Sequence, residues 1–108
     1  MDVYEALADP TRRRIVAMLA RGEKSAGEIA GKFPIAGPSV SRHLKVLRES
    51  RVNSYRQEAT SRIYRLEAQT LAEAQKWIDA QLGAVKARFD RLAAHLDRMK
   101  EREEGQDG

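Results

Sequence analysis

The 108-residue chain contains no cysteine, so it can form neither a disulfide nor a thiolate metal site. It has no apolar run of membrane-spanning length, and its first residues lack the basic and apolar segments of a signal peptide. We therefore expect a cytoplasmic protein with no membrane partner. A glycine-rich phosphate loop, a cysteine nucleophile and a cluster of metal ligands are all missing, so an enzyme is the least supported class of function.

Positive charge is concentrated in the middle of the sequence. The net charge is +4, but residues 9–65 hold 13 Lys and Arg against five Asp and Glu, and both flanking segments are slightly acidic. A basic module between near-neutral helices is typical of a DNA-binding domain on a dimerisation scaffold, whereas a surface charged for solubility spreads its charge more evenly. The length allows one domain with a modest core.

Residues 37–51, GPSVSRHLKVLRESR, have the pattern of an amphipathic helix. Val40, Leu44 and Leu47 recur at helical spacing, and Pro38 suits the first turn. The other face carries hydroxyls and cations, which reach base edges and phosphates in a major groove: Ser39, Ser41, Arg42, Lys45 and Arg48. An ordinary surface helix has the same composition, so the surrounding pattern has to decide.

Start and stop signals predict three helices before this segment, over residues 2–8, from Asp9 to about Arg21, and from Ser25 to Pro34. Asp9 with Pro10, and Ser25 with Glu28, are N-terminal capping pairs. Phe33 is expected to be buried within the third helix. A short helix, a tight connection and a basic helix follow each other as in a helix-turn-helix.

After residue 50 the periodicity changes to two. Residues 52–57 and 61–66 predict two strands joined by a connector over residues 58–60, hence a small hairpin. Arg56, Arg62 and Arg65 make it basic. A wing that contacts DNA and a simple solvated hairpin edge both fit this pattern.

A single helix without proline is predicted from Leu71 to about Glu103. Its apolar residues alternate at spacings of four and three, the repeat of a coiled coil: Ile78, Leu82, Val85, Phe89, Leu92, Leu96 and Met99. Such a helix spans about 45 Å, so much of this seam would face water unless a second copy covered it. The alternative is a helix that bends back near Gly83. Trp77 is expected to be a core residue.

The chain resembles the ArsR-type winged helix-turn-helix repressors. The resemblance rests on YEALADPTRRRIVAMLARG (4–22), GEIAGKF (27–33), SVSRHLKVLRES (39–50) and RIYRL (62–66). The subgroup that lacks metal ligands and includes autorepressors is the most similar. The resemblance implies a mainly α fold with a small β-hairpin: a winged helix-turn-helix domain over 1–69 with a dimerisation helix at 2–8, a long dimerisation helix over 70–103, and a frayed tail over 104–108.

The resemblance also implies a homodimer that binds an inverted-repeat operator in double-stranded DNA. The expected dimer interface consists of Val3, Leu7, Ile78, Leu82, Val85, Phe89, Leu92 and Leu96. Ser39, Ser41 and Arg42 are expected to face bases, and Arg42 is the candidate for a bidentate contact with guanine. Lys45, Arg56 and Arg62 are expected to contact phosphates. His43 is a weaker candidate, since a packing or helix-bonding role fits it equally well.

The sequence departs from the family pattern at three places. Ala36 and Gly37 replace the usual Ser and Gln before the recognition helix, which removes two side chains able to bond DNA. Arg51 stands where a glycine commonly closes that helix, so we expect a less well closed end. Ala59 replaces the usual glycine at the wing tip and leaves the turn geometry open.

No metal or other cofactor is expected. Ser25 and Gly27 occupy the positions of the thiolate ligands in metal-sensing relatives. In the last helix His95 and Asp97 face different sides, with Asp90 nearby. The run Thr11–Arg14 is interpreted as structural. Besides a repressor, two alternatives remain open: a weakly specific architectural DNA-binding protein, and a coiled-coil interaction module that has lost DNA binding. No inducer can be inferred.

Overall fold

The computed structural model describes residues 1–106. Their helices and strands are α1 (Val3–Ala8), α2 (Pro10–Ala20), β1 (Lys24–Ser25), α3 (Ala26–Ala30), α4 (Gly37–Glu49), β2 (Asn53–Glu58), β3 (Ser61–Leu66) and α5 (Ala68–Gln106). The chain divides into two units, Met1–Ala74 and a second unit that starts at Gln75. The predicted mainly α fold with a small hairpin and a long last helix is confirmed.

One apolar core lies within the first unit. Helices α1 to α4 and the sheet contribute to it through Ala6, Ile15, Leu19, Ile29, Phe33, Val40, Leu44, Leu47, Val52 and Tyr64. Val3 and Leu7 pack against this core and are partly buried. The three core residues from α4 are the predicted apolar stripe, so burial of that stripe fixes which face of α4 points outward.

The three strands form an antiparallel sheet in the order β1-β3-β2. Strand β1 was not predicted, because two residues are too few to show an alternating pattern; it pairs Lys24 with Tyr64. The hairpin runs from the pair Asn53–Leu66 to the pair Glu58–Ser61. Its turn is therefore one residue shorter than the predicted connector. Ala59 accordingly takes a φ of 53°, a conformation that favours glycine.

Helix α3 ends earlier than predicted. Gly31 is its C-cap: the Gly31 N–H donates to Gly27 O and the Lys32 N–H donates to Ile29 O, so the helix ends before Pro34 is reached. Phe33 lies beyond the helix, and its predicted burial is nevertheless confirmed at 8% exposure. The predicted capping box is also confirmed, because Ser25 Oγ accepts from the Glu28 N–H and the Glu28 carboxylate accepts from the Ser25 N–H.

Helix α5 is longer than predicted at both ends. It begins at Ala68 and continues through Gly83 to Gln106, so three residues of the 104–108 segment are helical and the last two lie outside the described residues. At about 1.5 Å per residue it spans about 58 Å. The prediction that Trp77 is a core residue is wrong: its side chain is 57% exposed.

The C-terminal end of α4 is fully closed, contrary to the expectation for an arginine at this position. Arg51 takes a φ of 62°. Its N–H donates to Arg48 O at 3.0 Å, and the Val52 N–H donates to Leu47 O at 2.9 Å. These two bonds form a Schellman motif, and the buried Leu47 and Val52 side chains supply the hydrophobic contact that accompanies it. The arginine therefore costs backbone strain rather than hydrogen bonds.

We expect Arg51→Gly to raise the free energy of unfolding by about 0.5–1 kcal/mol. Glycine removes a left-handed penalty of about 1–2 kcal/mol, part of which its greater unfolded-state entropy offsets. Urea unfolding at one fixed protein concentration measures the change. Arg51→Lys is the control, since lysine meets the same backbone restriction and should leave the stability unchanged. A glycine variant no more stable than the lysine variant contradicts the strain argument.

Candidate nucleic-acid interface

The outward face of α4 carries most of the predicted DNA-contacting side chains. Ser41, Arg42 and Lys45 are exposed, and Ser39 and His43 are half-buried. Within residues 1–106 Arg42 forms no ion pair, whereas Lys45 Nζ lies 3.9 Å from Glu49 Oε1 one turn later. This face therefore presents a hydroxyl and two cations with little internal pairing to lose when a ligand binds.

His43 connects α4 to the preceding helices. Its Nδ1 lies 3.2 Å from Arg12 Nη1 and 3.9 Å from Asp9 Oδ2. A guanidinium can only donate, so Nδ1 is the acceptor in this contact. The helix-bonding role considered for His43 thus has direct partners. It holds α4 in place against the start of α2.

The arginine run at the start of α2 serves the end of α1. Arg12 donates through Nε to Ala6 O at 2.6 Å and through Nη2 to Glu5 O at 3.3 Å. Arg13 Nη1 donates to Leu7 O and Ala8 O. The structural interpretation of this run is confirmed for Arg12 and Arg13, because both side chains donate to backbone carbonyls of α1. Cations at the carboxyl end of a helix satisfy its unpaired carbonyl acceptors and interact favourably with the helix dipole.

Asp9 occupies the junction between α1 and α2. Its carboxylate accepts from the Arg12 N–H at 3.0 Å and caps α2, as predicted. That hydrogen bond, together with the nearby His43 and the Arg12 charge, lowers the pKa of Asp9 below 3.8. The cap is therefore strongest above the pKa of an unfolded aspartate and is lost as the pH falls through the lowered value.

Tyr55 in the hairpin joins the sheet to α4. The guanidinium carbon of Arg62 lies 4.5 Å from its ring centroid, and that of Arg48 lies 5.4 Å away. The Tyr64 ring is 5.4 Å away on the same sheet. Cation–π attraction thus holds Arg62, a predicted phosphate-binding residue, on the Tyr55 ring, and the same ring contacts Arg48 in the last turn of α4. Tyr55 was missed as a positioning residue, although the strand alternation places it on the other face of the hairpin from Arg56.

Arg56 is less available than predicted. Its guanidinium bonds the Glu23 carboxylate and lies 3.2 Å from Glu58 Oε2. The Glu23 hydrogen bond raises the pKa of Arg56. Arg65 is also engaged, since its Nε donates to Ser54 Oγ at 3.2 Å. Of the three wing arginines, Arg62 is therefore the one that forms no ion pair within the described residues.

The amino end of α4 lacks a side-chain cap. Ala36 is the N-cap residue, with φ of −60° and ψ of 143°, and it provides no acceptor. Its extended backbone is the conformation that a capping residue normally adopts. The predicted loss of a polar side chain here thus also leaves the start of α4 without a side-chain hydrogen bond.

The predicted seam of α5 is exposed along its whole length in the single chain. Leu82 is 62% exposed and Phe89 is 63% exposed. The remaining members are between 44% and 54% exposed: Ile78, Val85, Leu92, Leu96 and Met99. An apolar stripe of this length is far larger than the scattered apolar residues of an ordinary surface and marks an interaction face.

Within residues 1–106 no group of three His, Asp or Glu side chains is placed to hold a metal ion. His95 is exposed on α5, and the Ser25 hydroxyl is engaged in capping α3. None of the described helices is long and apolar enough to cross a membrane.

Comparisons with known proteins agree with this arrangement. Residues 7–52 match the family model described as a helix-turn-helix domain. An HTH-type transcriptional regulator of Mycobacterium tuberculosis is 46% identical over 69 residues, which are 64% of each chain. The transcriptional repressor SdpR of Bacillus subtilis is 36% identical over 77 residues, covering 71% of this chain and 86% of that protein. A crystal structure of an ArsR family transcriptional regulator superposes with a TM-score of 0.72 at 29% identity, covering 77% of this chain and 86% of the other.

We expect Ala36→Thr to raise the free energy of unfolding by about 1 kcal/mol, because a threonine hydroxyl can accept from an N–H of the first turn of α4. Ala36→Val is the matched control, since valine has the shape of threonine without the acceptor. Urea unfolding of both variants gives the difference. Equal stabilities would mean that this helix start gains nothing from a cap.

Proposed function

Because the chain belongs to the ArsR family of winged helix-turn-helix transcriptional regulators, we propose that it is a sequence-specific repressor that binds an inverted-repeat operator as a homodimer, without sensing a metal. Repression is steric, because a protein held on the promoter keeps polymerase away. The match to the Mycobacterium tuberculosis regulator spans only 64% of that protein, so the proposal concerns this chain's own surfaces.

The observation that carries the proposal is the division of α4 into two faces. Val40, Leu44 and Leu47 are at most 2% exposed, so their burial fixes the helix on the domain. The opposite face presents Ser41, Arg42 and Lys45 to solvent. A helix seated in this way and carrying hydroxyls and cations outward is the element that enters a major groove.

The contacts within the domain suggest different parts for the predicted DNA residues. Ser39, Ser41 and Arg42 read base edges, and Lys45 and Arg62 contact phosphates. Arg56 contacts a phosphate only by exchanging the carboxylates of Glu23 and Glu58, so its contribution is smaller. His43, held by Arg12, positions α4 more than it binds DNA.

The homodimer is supported by the exposed seam of α5. Residues 78 to 99 repeat with coiled-coil spacing, and a second copy is the simplest cover for an apolar stripe of this period. Val3 and Leu7 are partly buried in the core of their own chain, so their remaining surface adds to the interface. In such a dimer the two copies of α4 would lie about 34–36 Å apart, one turn of B-DNA.

The absence of metal sensing in this proposal is supported by the residues at the two positions where metal-sensing relatives carry thiolate ligands. Ser25 is committed to capping α3, and Gly27 has no side chain. A second candidate function is weakly specific architectural binding. It is favoured by Ala36 and Gly37, which offer no side chain to DNA at the start of α4.

Binding to the chain's own upstream promoter fragment and to a scrambled fragment, measured across a salt series, tests the repressor proposal. We expect a preference of about a thousandfold for the promoter and a steep loss of affinity with salt. Arg42→Ala should remove most of the preference. Lys45→Ala should weaken both fragments alike and reduce the salt slope by about one. Arg62→Ala should cost more affinity than Arg56→Ala.

Lys76→Ala on α5 is the control cation and should change neither fragment's affinity. Equal binding of the two fragments would favour the architectural function. No binding at low salt would contradict both DNA-binding proposals and favour the coiled-coil interaction module.

Sedimentation of the DNA-free chain tests the dimer. We expect Phe89→Glu to convert a dimer to a monomer at micromolar concentration, because it buries a carboxylate in the apolar seam. Ala87→Glu is the matched control, since it adds the same charge on the opposite face of α5 and should leave the dimer intact. A Phe89→Glu variant that still sediments as a dimer would exclude this seam as the interface.

A further inference from the structure

A cavity of about 460 Å³ lies in the first unit. It is lined by Arg14, Ala17, Met18, Arg21, Lys24, Lys32 and Phe33, and none of these belongs to the predicted DNA-contacting set. Its volume falls in the range of sites that hold small molecules. The cavity therefore calls for an explanation that DNA reading and dimerisation do not give.

The cavity has one continuous wall from α2. Arg14, Ala17, Met18 and the C-cap Arg21 recur at offsets of three, four and seven, so they share one face of that helix. Lys24 in β1 and Lys32 with Phe33 after α3 close the other sides. The local turns that end α2 and α3 thus place two lysines opposite an arginine-bearing helix face.

All the ionisable groups that line the cavity are cations. Arg14, Arg21, Lys24 and Lys32 bring four positive charges together, and the lining contains no carboxylate. Within residues 1–106 none of the four forms a salt bridge. The pKa of Glu28 is lowered mainly by two hydrogen bonds with Ser25 and to a smaller extent by the charge of Lys24. Glu28 lies outside the lining. Four cations around one concavity repel each other until an anion enters.

The floor of the cavity is apolar. Phe33 is 8% exposed, and Met18 and Ala17 lie beside it in the lining. The Arg14 guanidinium carbon sits 5.0 Å from the Phe33 ring centroid, so this cation is already held over the floor by cation–π attraction. A duplex backbone offers phosphates but no apolar body to cover such a floor, whereas an organic acid offers an anionic group and an apolar body.

We propose that this cavity binds a small organic anion, with a ring-sized apolar body against Phe33 and Met18 and a carboxylate or phosphate group among the four cations. The arginines provide paired donors for the anion, and the lysines provide point charges. The site does not depend on the function proposed for α4.

Calorimetric titration of the full chain with 1-naphthyl phosphate, 1-naphthoate, 1-naphthol and inorganic phosphate tests this site. We expect saturable binding of the first two, at least tenfold tighter than that of naphthol or of inorganic phosphate. The ratio between the two naphthyl anions identifies which acid group the cations prefer. Arg21→Gln with Lys32→Gln should weaken both anions at least tenfold. Lys76→Gln with Lys100→Gln on α5 is the matched control and should leave them unchanged.

Ala17→Glu is a second variant that keeps a good helix former on an exposed position and puts a carboxylate into the lining. It should abolish binding of both anions, whereas Ala87→Glu should not. Absence of saturable binding would overturn the proposal. Equal binding of naphthyl phosphate and inorganic phosphate, with Arg21→Gln and Lys32→Gln weakening scrambled DNA, would also overturn it. The four cations would then be part of a phosphate-contacting surface.

Discussion

The burial of one apolar stripe on α4 is the constraint on which the rest of the structure depends. Val40, Leu44 and Leu47 contribute three of the ten residues of the core cluster, and removing one such side chain typically costs about 2–5 kcal/mol. Once this stripe is fixed, the orientation of the outward face is fixed as well. The Schellman motif at Arg51 closes the carboxyl end of the helix, and the Arg12–His43 contact holds its middle against the start of α2.

The excess positive charge of residues 9–65 serves three different purposes. Arg12 and Arg13 satisfy backbone carbonyls at the end of α1, so part of the charge is structural. Arg56 and Arg65 are engaged by neighbouring polar and acidic side chains in the wing. Within residues 1–106, the cations that form neither an ion pair nor a bond to α1 include Arg42 on α4, Arg62 in the wing and the four that line the cavity beside Phe33. Net charge therefore indicates an electrostatic partner, but pairing decides which cations are available for it.

Much of the fold could be predicted from local signals. The caps at Asp9 and Ser25 and the apolar stripe of α4 depend on residues within one or two turns of each other, and all three are confirmed. Strand β1 could not be predicted, because two residues show no period and only pairing with β3 makes them a strand. The exposure of Trp77 was missed for a related reason, since an aromatic residue gives no sign of which surface covers it.

The sequence predicted which side chains lie on the candidate interface better than it predicted which of them are free of partners within the domain. Ser41, Arg42 and Lys45 follow from the helical wheel, and all three are exposed. The pairing of Arg56 with Glu23 joins residues 33 apart in sequence, and no local pattern indicates it. Tyr55 acquires its part only from the convergence of two arginines that come from different elements. Sequence periodicity does not indicate contacts between side chains that are far apart in the chain.

The exposed seam of α5 has a consequence for how the protein responds to its own abundance. If the operator is held by two chains joined along this seam, the amount of binding-competent dimer at low concentration grows with the square of the chain concentration. A halving of the chain level then lowers the competent form fourfold. The length and apolar character of the seam set the concentration at which this steep regime gives way to a linear one, so a helix that reads no bases adjusts the threshold at which a promoter is occupied.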